Sequence, residues 1–423
     1  MDRDKADGKE KSSERRWTPT PQLLRDAQSP GPEGLAIVGD LRSPVGGLLW
    51  KSYRSILLWS QTDPSERAGL FDAEAASRRS GEIESVLERG HSELRDALEV
   101  TVAMLREPES LTPEVVARAA RRIAAWAHSS SASDTEFEFL RVAAAADPSN
   151  PRLALLVARA ALERMQQGMA EAWLFRTIGL ARHSREWDPY VEAYLAHGEM
   201  MLERRALPSA RESFIKAFRR SSRQGKRDMK AKALTSLFAL EEVAGNPAEA
   251  ADYADQALDL YSAPDPDLRA LARDLAFFWL RERHFALGLR TFRLIVDDTP
   301  RADLPAVLGG MARAGGGASD SEAFEDARAR LEKLGGGPGV AEAWLDVARA
   351  ALHLDRSEDA EAAAEHARTF GRQVPGSQID FLARVLLDKS DRDRHTRPGT
   401  ADDPDGRQTA LADRLESLLR KAK

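Results

Sequence analysis

Not one of the 423 residues is cysteine. Disulfides, thiolate catalysis and cysteine-ligated metals are thereby excluded, and the expected compartment is the reducing cytoplasm. Histidine is sparse, eight in all, and no two stand four apart beside a carboxylate as a helical zinc site needs. Long apolar runs are missing as well. The most apolar early stretch, Val45 to Trp59, carries Lys51 and Arg54 and is too short to span a bilayer, so no membrane span is expected. Neither sign of charge dominates: the net charge of −6 predicts no nucleic-acid or membrane partner for the chain as a whole. A nucleophile elbow of the Gly-x-Ser-x-Gly type is absent. The run Gly335, Gly336, Gly337, Pro338 and Gly339 lacks the Lys-Ser or Lys-Thr that follows a phosphate loop and links helices with no strand before it. No catalytic residue, metal or cofactor is therefore expected, and the many surface carboxylates read as solvated helix faces.

What the chain does have is 42% apolar and 31% charged residues with abundant alanine, the composition of a helical protein. A small-large-small spacing recurs within it: Ala210, Phe214 and Ala217; Ala250, Ala254 and Ala257; Gly288, Phe292 and Ile295; Ala360, Ala364 and Ala367. The first residues of these triplets lie 40, 38 and 72 positions apart. The long gap holds a degenerate unit, Ala323 and Ala327 with Arg330 and Leu331 at its end, and Ala170, Leu174 and Thr177 extend the series 40 positions upstream. Six units result. Where two antiparallel helices cross closely only a small residue fits, and a bulky one a turn later fills the space as they diverge. The first helix of a unit shows its own stripe at i, i+3, i+4 and i+7, as in Tyr194, His197, Gly198 and Met201, or Trp344, Val347, Ala348 and Ala351. One first helix is weak: Asp303 to Ala314 contains Pro305 and the pair Gly309-Gly310, so its unit is expected to be short, bent or a hinge.

The pattern resembles that of the tetratricopeptide repeat family, which runs from an aromatic through Leu and Gly or Ala to Ala, an aromatic, Ala and a closing Pro. Tyr194, Gly198, Ala210, Phe214 and Ala217 fall in its register, as do Trp344, Ala348, Ala360 and Ala367, and Pro300 stands at the closing position after Gly288. Several units run longer than the family's usual period of about 34 residues. The resemblance implies an all-α, right-handed α-solenoid of antiparallel helix pairs over residues 111–387, with a less regular helical cap before it.

The flanks read differently. Residues 1–16 are charged and poor in apolar side chains, the opposite of a secretory segment, and are expected to be a disordered lead. Residues 17–62 are rich in Pro and Gly and read as irregular, with an apolar helix near 45–59 that either caps the array or docks a partner. Residues 63–110 are patterned as a helical pair, residues 388–406 as a flexible linker, and residues 407–423 as an amphipathic helix with Leu411, Leu415, Leu418 and Leu419 on one face. That last helix docks either on its own chain or in a partner's groove.

Two surfaces are candidates for recognition. The cluster Arg219, Arg220, Arg223, Lys226 and Arg227 makes a basic edge, readable as a solvated loop, a site for an acidic protein segment or a nucleic-acid contact. Few aromatics interleave with it, so base stacking is not supported. Along the concave face that the resemblance implies, the exposed positions fall on Arg159, Glu199, Phe277 and Arg349, a mixed set suited to a protein or peptide. The family's chaperone-tail subclass clamps a carboxylate with Asn side chains. Here only Asn150 and Asn246 occur, both in Asn-Pro turns, which argues against that subclass. The expected function is a non-enzymatic scaffold or adaptor, and the alternative is a sensor whose array responds to a small ligand or peptide and controls a bound partner.

Overall fold

A computed structural model of the chain describes residues 33–88, 91–262, 265–372, 377–393 and 406–421. The expected lead over 1–16 lies outside them. Among the described residues there are twenty α-helices and no strand. The chain divides into two compact units, Met1–Gly225 and Lys226–Lys423.

In the first unit α1 (Glu33–Asp40), α2 (Pro44–Gln61), α3 (Ala73–Glu88) and α4 (Arg95–Arg106) precede three helix pairs. These are α5 (Pro113–Ser129) with α6 (Ser133–Ala146), α7 (Pro151–Glu163) with α8 (Gln167–Ser184), and α9 (Trp187–Glu203) with α10 (Leu207–Arg223). Proline opens several of the helices where its missing N–H costs nothing, and Asn150 accepts from the N–H groups of Arg152 and Leu153 ahead of α7. The segment 33–62 is more regular than its composition suggests. Its one proline, Pro44, opens α2, so the apolar run from Leu35 to Val38 is free to be helical. The same segment is tied to the array: Asp40 accepts from the N–H and hydroxyl of Thr135 at 3.0 Å each, at the start of α6. Trp59 of α2 is fully buried, donates its indole N–H to the carbonyl of Pro108 at 2.7 Å, and carries the Arg67 guanidinium 3.5 Å over its ring.

In the second unit the pairs continue as α11 (Arg227–Ala244) with α12 (Pro247–Leu258), α13 (Pro266–Arg281) with α14 (Phe285–Ile295), α15 (Leu304–Gly317) with α16 (Ser321–Leu334), and α17 (Val340–His353) with α18 (Ser357–Gly371). Then come α19 (Ile379–Asp393) and α20 (Gly406–Lys421). Helix α19 runs six residues into the stretch read as linker, because neither Gly nor Pro interrupts the chain until Pro398. The rest of that stretch up to 405 lies outside the described residues.

Each triplet of the recurring spacing is core. Ala210, Phe214 and Ala217 are fully buried, as are Ala250, Ala254 and Ala257, and Ala360, Ala364 and Ala367. The degenerate unit conforms too, with Ala323, Ala327 and Leu331 buried. The fit between helices is direct at Gly198: a Cβ there would overlap the Phe214 ring, so the glycine of α9 makes room for the large residue of α10. The array is an all-α solenoid of paired helices.

A second ruler lies in the backbone. Between the two helices of every pair one residue takes the left-handed conformation: Ser131, Met165, Arg205, Gly245, Arg283, Ser319 and Asp355. The next residue then donates its N–H to the carbonyl five positions back at 2.8 to 2.9 Å, from Ala132 to Ala127, Gln166 to Ala161, and so on to Arg356 and Ala351. This is the Schellman closure of a helix end. Only Gly245 takes that conformation without strain, since a Cβ in the left-handed region costs roughly 1–2 kcal/mol. Gly245→Ala should therefore destabilise by about 1 kcal/mol, while Met165→Gly, at a side chain 76% exposed, should stabilise by about 0.5 kcal/mol. Thermal unfolding of the two variants checks both signs.

The weak helix of the sequence is not short. Helix α15 is continuous from Leu304 to Gly317, with Pro305 in its first turn. Its glycines are contact surfaces: a Cβ on Gly309 would lie 2.9 Å from Ala343 Cα, and one on Gly316 would lie 2.6 Å from the Ala350 carbonyl oxygen, both on α17. Glycine lets the two backbones touch.

Candidate interaction surfaces

The four residues assigned to the inner face all sit on first helices of their pairs. In the first unit Arg159 of α7 is exposed and holds Glu192 of α9 at 2.6 Å, while Glu199 is exposed two turns further along α9. In the second unit Phe277 of α13 is half-buried with its ring edge-on to Phe292 at 5.1 Å between centroids. Arg349 of α17 is half-buried and holds Asp346 at 2.6 Å. Similar ion pairs link other first helices, including Lys232 to Asp267 at 3.2 Å and Arg273 to Asp303 at 3.1 Å. Solvent-exposed pairs of this kind contribute about 0–1 kcal/mol each, so they can exchange for a partner's charges at small cost.

The basic edge separates into different roles. In the first unit Arg220 stacks on Trp187 at 3.8 Å and lies 5.4 Å from the Tyr190 ring, which makes it part of the α9–α10 packing. Arg219 and Arg223 are exposed on the same helix. In the second unit Lys226 precedes α11, and Arg227 donates to the carbonyls of Asp259 at 2.9 Å and Leu260 at 3.0 Å, capping the end of α12 with a cation. Two of the five arginines and lysines thus have structural work that their spacing did not reveal.

A polar cluster sits inside the first unit. Ser213 donates its hydroxyl hydrogen to the Ser209 carbonyl at 3.0 Å, so its oxygen accepts from Nδ1–H of His197 at 2.8 Å. Burial pushes the His197 imidazole below its usual range, and burial followed by the fields of Arg313 and Arg283 does the same to His353. A histidine depressed in the fold binds its proton more readily when unfolded, so stability is full above about 6.5 and falls as pH drops through the depressed values. His128 is shifted the other way by its hydrogen bond to Glu136, and its contribution is present below 6.5 and lost as pH rises. Urea midpoints at pH 7.5 and pH 5 should therefore differ less in His353→Asn than in the wild-type chain.

The feature that the sequence located without placing is α20. It packs on its own chain, between α12 and α14, the second helices of consecutive pairs, and reaches α13 below them. Leu411, Ala412, Leu415 and Leu419 are buried, and Leu418 is half-buried. Burying a leucine fully contributes about 1.5–3 kcal/mol before ordering costs. The buried indole N–H of Trp279 on α13 donates to Gln408 Oε1 at 2.9 Å, so the floor of the seat is satisfied by α20 itself. Charges flank the apolar stripe in opposite senses. On the α12 side Arg407 pairs with Asp252, and Arg414 with Asp255 and Asp259. On the α14 side Arg290 pairs with Asp413, at 2.7 Å, and with Glu416, which together raise the guanidinium above its ordinary range. Because the earlier arginine meets the earlier aspartate, α20 runs in the same direction as α12. The acidic series Asp252, Asp255 and Asp259 at i, i+3 and i+7 was the available signal for this seat.

Among the described residues no group of three or more His, Asp or Glu is placed to hold a metal, and no helix is long and apolar enough to cross a membrane. No family model matches the chain, and no curated protein matches it. Among solved structures, one described as the functional characterisation of Pseudomonas aeruginosa PilF shares 17% identity over 53% of this chain and 95% of its own, with a TM-score of 0.42. A circular tandem repeat protein with a novel repeat topology shares 14% identity over 95% of this chain and 90% of its own, with a TM-score of 0.17. At those scores neither carries an argument here. The TPR-like helical repeat rests on the recurrence within the chain.

Proposed function

We propose that the protein is a non-catalytic scaffold of the tetratricopeptide type that binds protein segments on the first helices of its pairs, in either unit. The observation that supports this reading most is the division of labour in the array. The recurring small and large residues are consumed by helix packing, whereas Arg159, Glu199, Phe277 and Arg349 project from the first helices exposed or half-buried, with exchangeable ion pairs around them. Within each unit such a face suits an extended peptide or a partner helix: charged side chains on the first helices of the first unit, and Phe277 with Arg349 on those of the second. The absence of cysteine supports a cytoplasmic setting. Capture of partners with the wild-type chain and with Arg159→Glu/Phe277→Ala/Arg349→Glu tests the proposal. Loss of the captured proteins at unchanged thermal stability is the expected result, and an identical set from both chains contradicts it.

The sensor reading is favoured by one observation, the seating of α20 on its own array. A helix held on the second helices and joined to α19 through 394–405 can respond to any change in the spacing of α12 and α14.

A further inference from the structure

We propose that the groove formed by α12, α13 and α14 is a receptor for an amphipathic helix supplied by a partner protein, and that α20 is its tethered occupant, displaced when the partner binds. Its walls are the second helices α12 and α14 and its floor is Trp279 of α13, so none of the residues that specify it is among Arg159, Glu199, Phe277 and Arg349 of the face proposed above.

The groove is specified more narrowly than an apolar seat requires. It offers an apolar stripe that takes three leucines spaced by four, Leu411, Leu415 and Leu419. One wall is anionic through Asp252, Asp255 and Asp259, and the other is cationic through Arg290. The floor presents one indole N–H from Trp279. Two walls of opposite sign fix both the rotation of a bound helix and its direction, since a reversed or rotated helix places like charges together. The ligand in trans is therefore a helix with apolar residues at i, i+4 and i+8, arginine or lysine along one flank, and a carboxylate along the other. These are the features of α20.

Nothing in that recognition depends on the covalent link between occupant and groove. Helix α20 ends the described chain and is joined to α19 through residues 394–405, so its removal breaks no other helix pair. The apolar stripe supplies affinity and the exposed ion pairs supply register, so the seat is exchangeable. Tethering raises the effective concentration of the resident helix to about the millimolar range. A partner must exceed that, and seating the partner and releasing α20 are one event.

The test uses a fluorescein-labelled synthetic peptide of residues 406–423 as the probe, read by anisotropy against the full-length chain. In Leu411→Asp/Leu415→Asp the resident helix is unseated while the groove is untouched. The peptide should bind this variant at least tenfold more tightly than the wild-type chain. Adding Asp255→Lys/Asp259→Lys should weaken that binding at least tenfold, and a peptide carrying Arg414→Glu should recover part of the loss. Arg407→Glu/Arg414→Glu, which keeps the leucines, should also admit the peptide and guards against a folding failure of the first variant. Equal binding to wild-type and unseated chains overturns the proposal, and so does failure to bind either unseated variant when its helical circular dichroism is intact. A wild-type dimer that Leu411→Asp/Leu415→Asp dissociates assigns the groove to a second copy and overturns it too. None of these outcomes depends on Arg159, Phe277 or Arg349, so the first-helix proposal stands or falls separately.

Discussion

Gly316→Ala lowers the stability of the second unit by about 1–3 kcal/mol. The sign is the informative part, because alanine inside a helix is ordinarily favoured over glycine by about 0.8–1 kcal/mol. At Gly316 the new Cβ would fall 2.6 Å from the carbonyl oxygen and 2.7 Å from the Cα of Ala350, atoms of a helix backbone that no rotamer change can move aside. Helices α15 and α17 must then separate along their whole contact, and the loss falls on every buried residue between them. Gly309 makes the same kind of contact with Ala343, so Gly309→Ala should behave alike. Gly81, inside α3 with no atom within 4 Å of its would-be Cβ, is the control, and Gly81→Ala should stabilise by about 0.8–1 kcal/mol. Thermal unfolding followed by circular dichroism distinguishes the two, and a gain at Gly316 equal to that at Gly81 would show that the helices do not touch.

The second large effect is expected at the small residues of the spacing. Ala210→Leu, Ala250→Leu and Ala360→Leu each replace a fully buried methyl with an isobutyl group. Close-packed interiors have no room for it, and overpacking costs about 1–3 kcal/mol even where the backbone shifts to relieve it. In a solenoid the damage stays local at first, because each pair contacts only its neighbours, so the unit that carries the substitution unfolds ahead of the rest.

The array was legible because its evidence is periodic. Ala170, Ala210 and Ala250 recur at 40 positions, and no single triplet had to be convincing. The turn ruler was not legible: the left-handed position is Ser131, Met165, Arg205 or Asp355 as readily as Gly245, so the demand is met by strain that residue identity does not display. The glycines of α15 read as a weakness because a sequence shows the missing side chain and not the Ala343 and Ala350 backbone that needs its space. The surface residues share that limit. Arg220 looked like one member of a basic cluster, yet it is held by Trp187 and Tyr190 some thirty residues earlier, and Arg227 caps a helix that follows it. The amphipathic pattern of α20 was plain from Leu411 onward. Its seat was not, because the match between Arg407 or Arg414 and the aspartates of α12 joins residues 155 or more positions apart.

The recurring small residues are spacers between paired helices, and their exposed neighbours take no part in that packing. The direct measurement is the urea unfolding of Ala250→Leu beside Glu249→Leu, the same enlargement one position apart on α12, where Ala250 is fully buried and Glu249 is exposed. The account predicts a loss of about 1–3 kcal/mol for the first and a change within about 0.5 kcal/mol for the second. Equal effects at the two positions would contradict it.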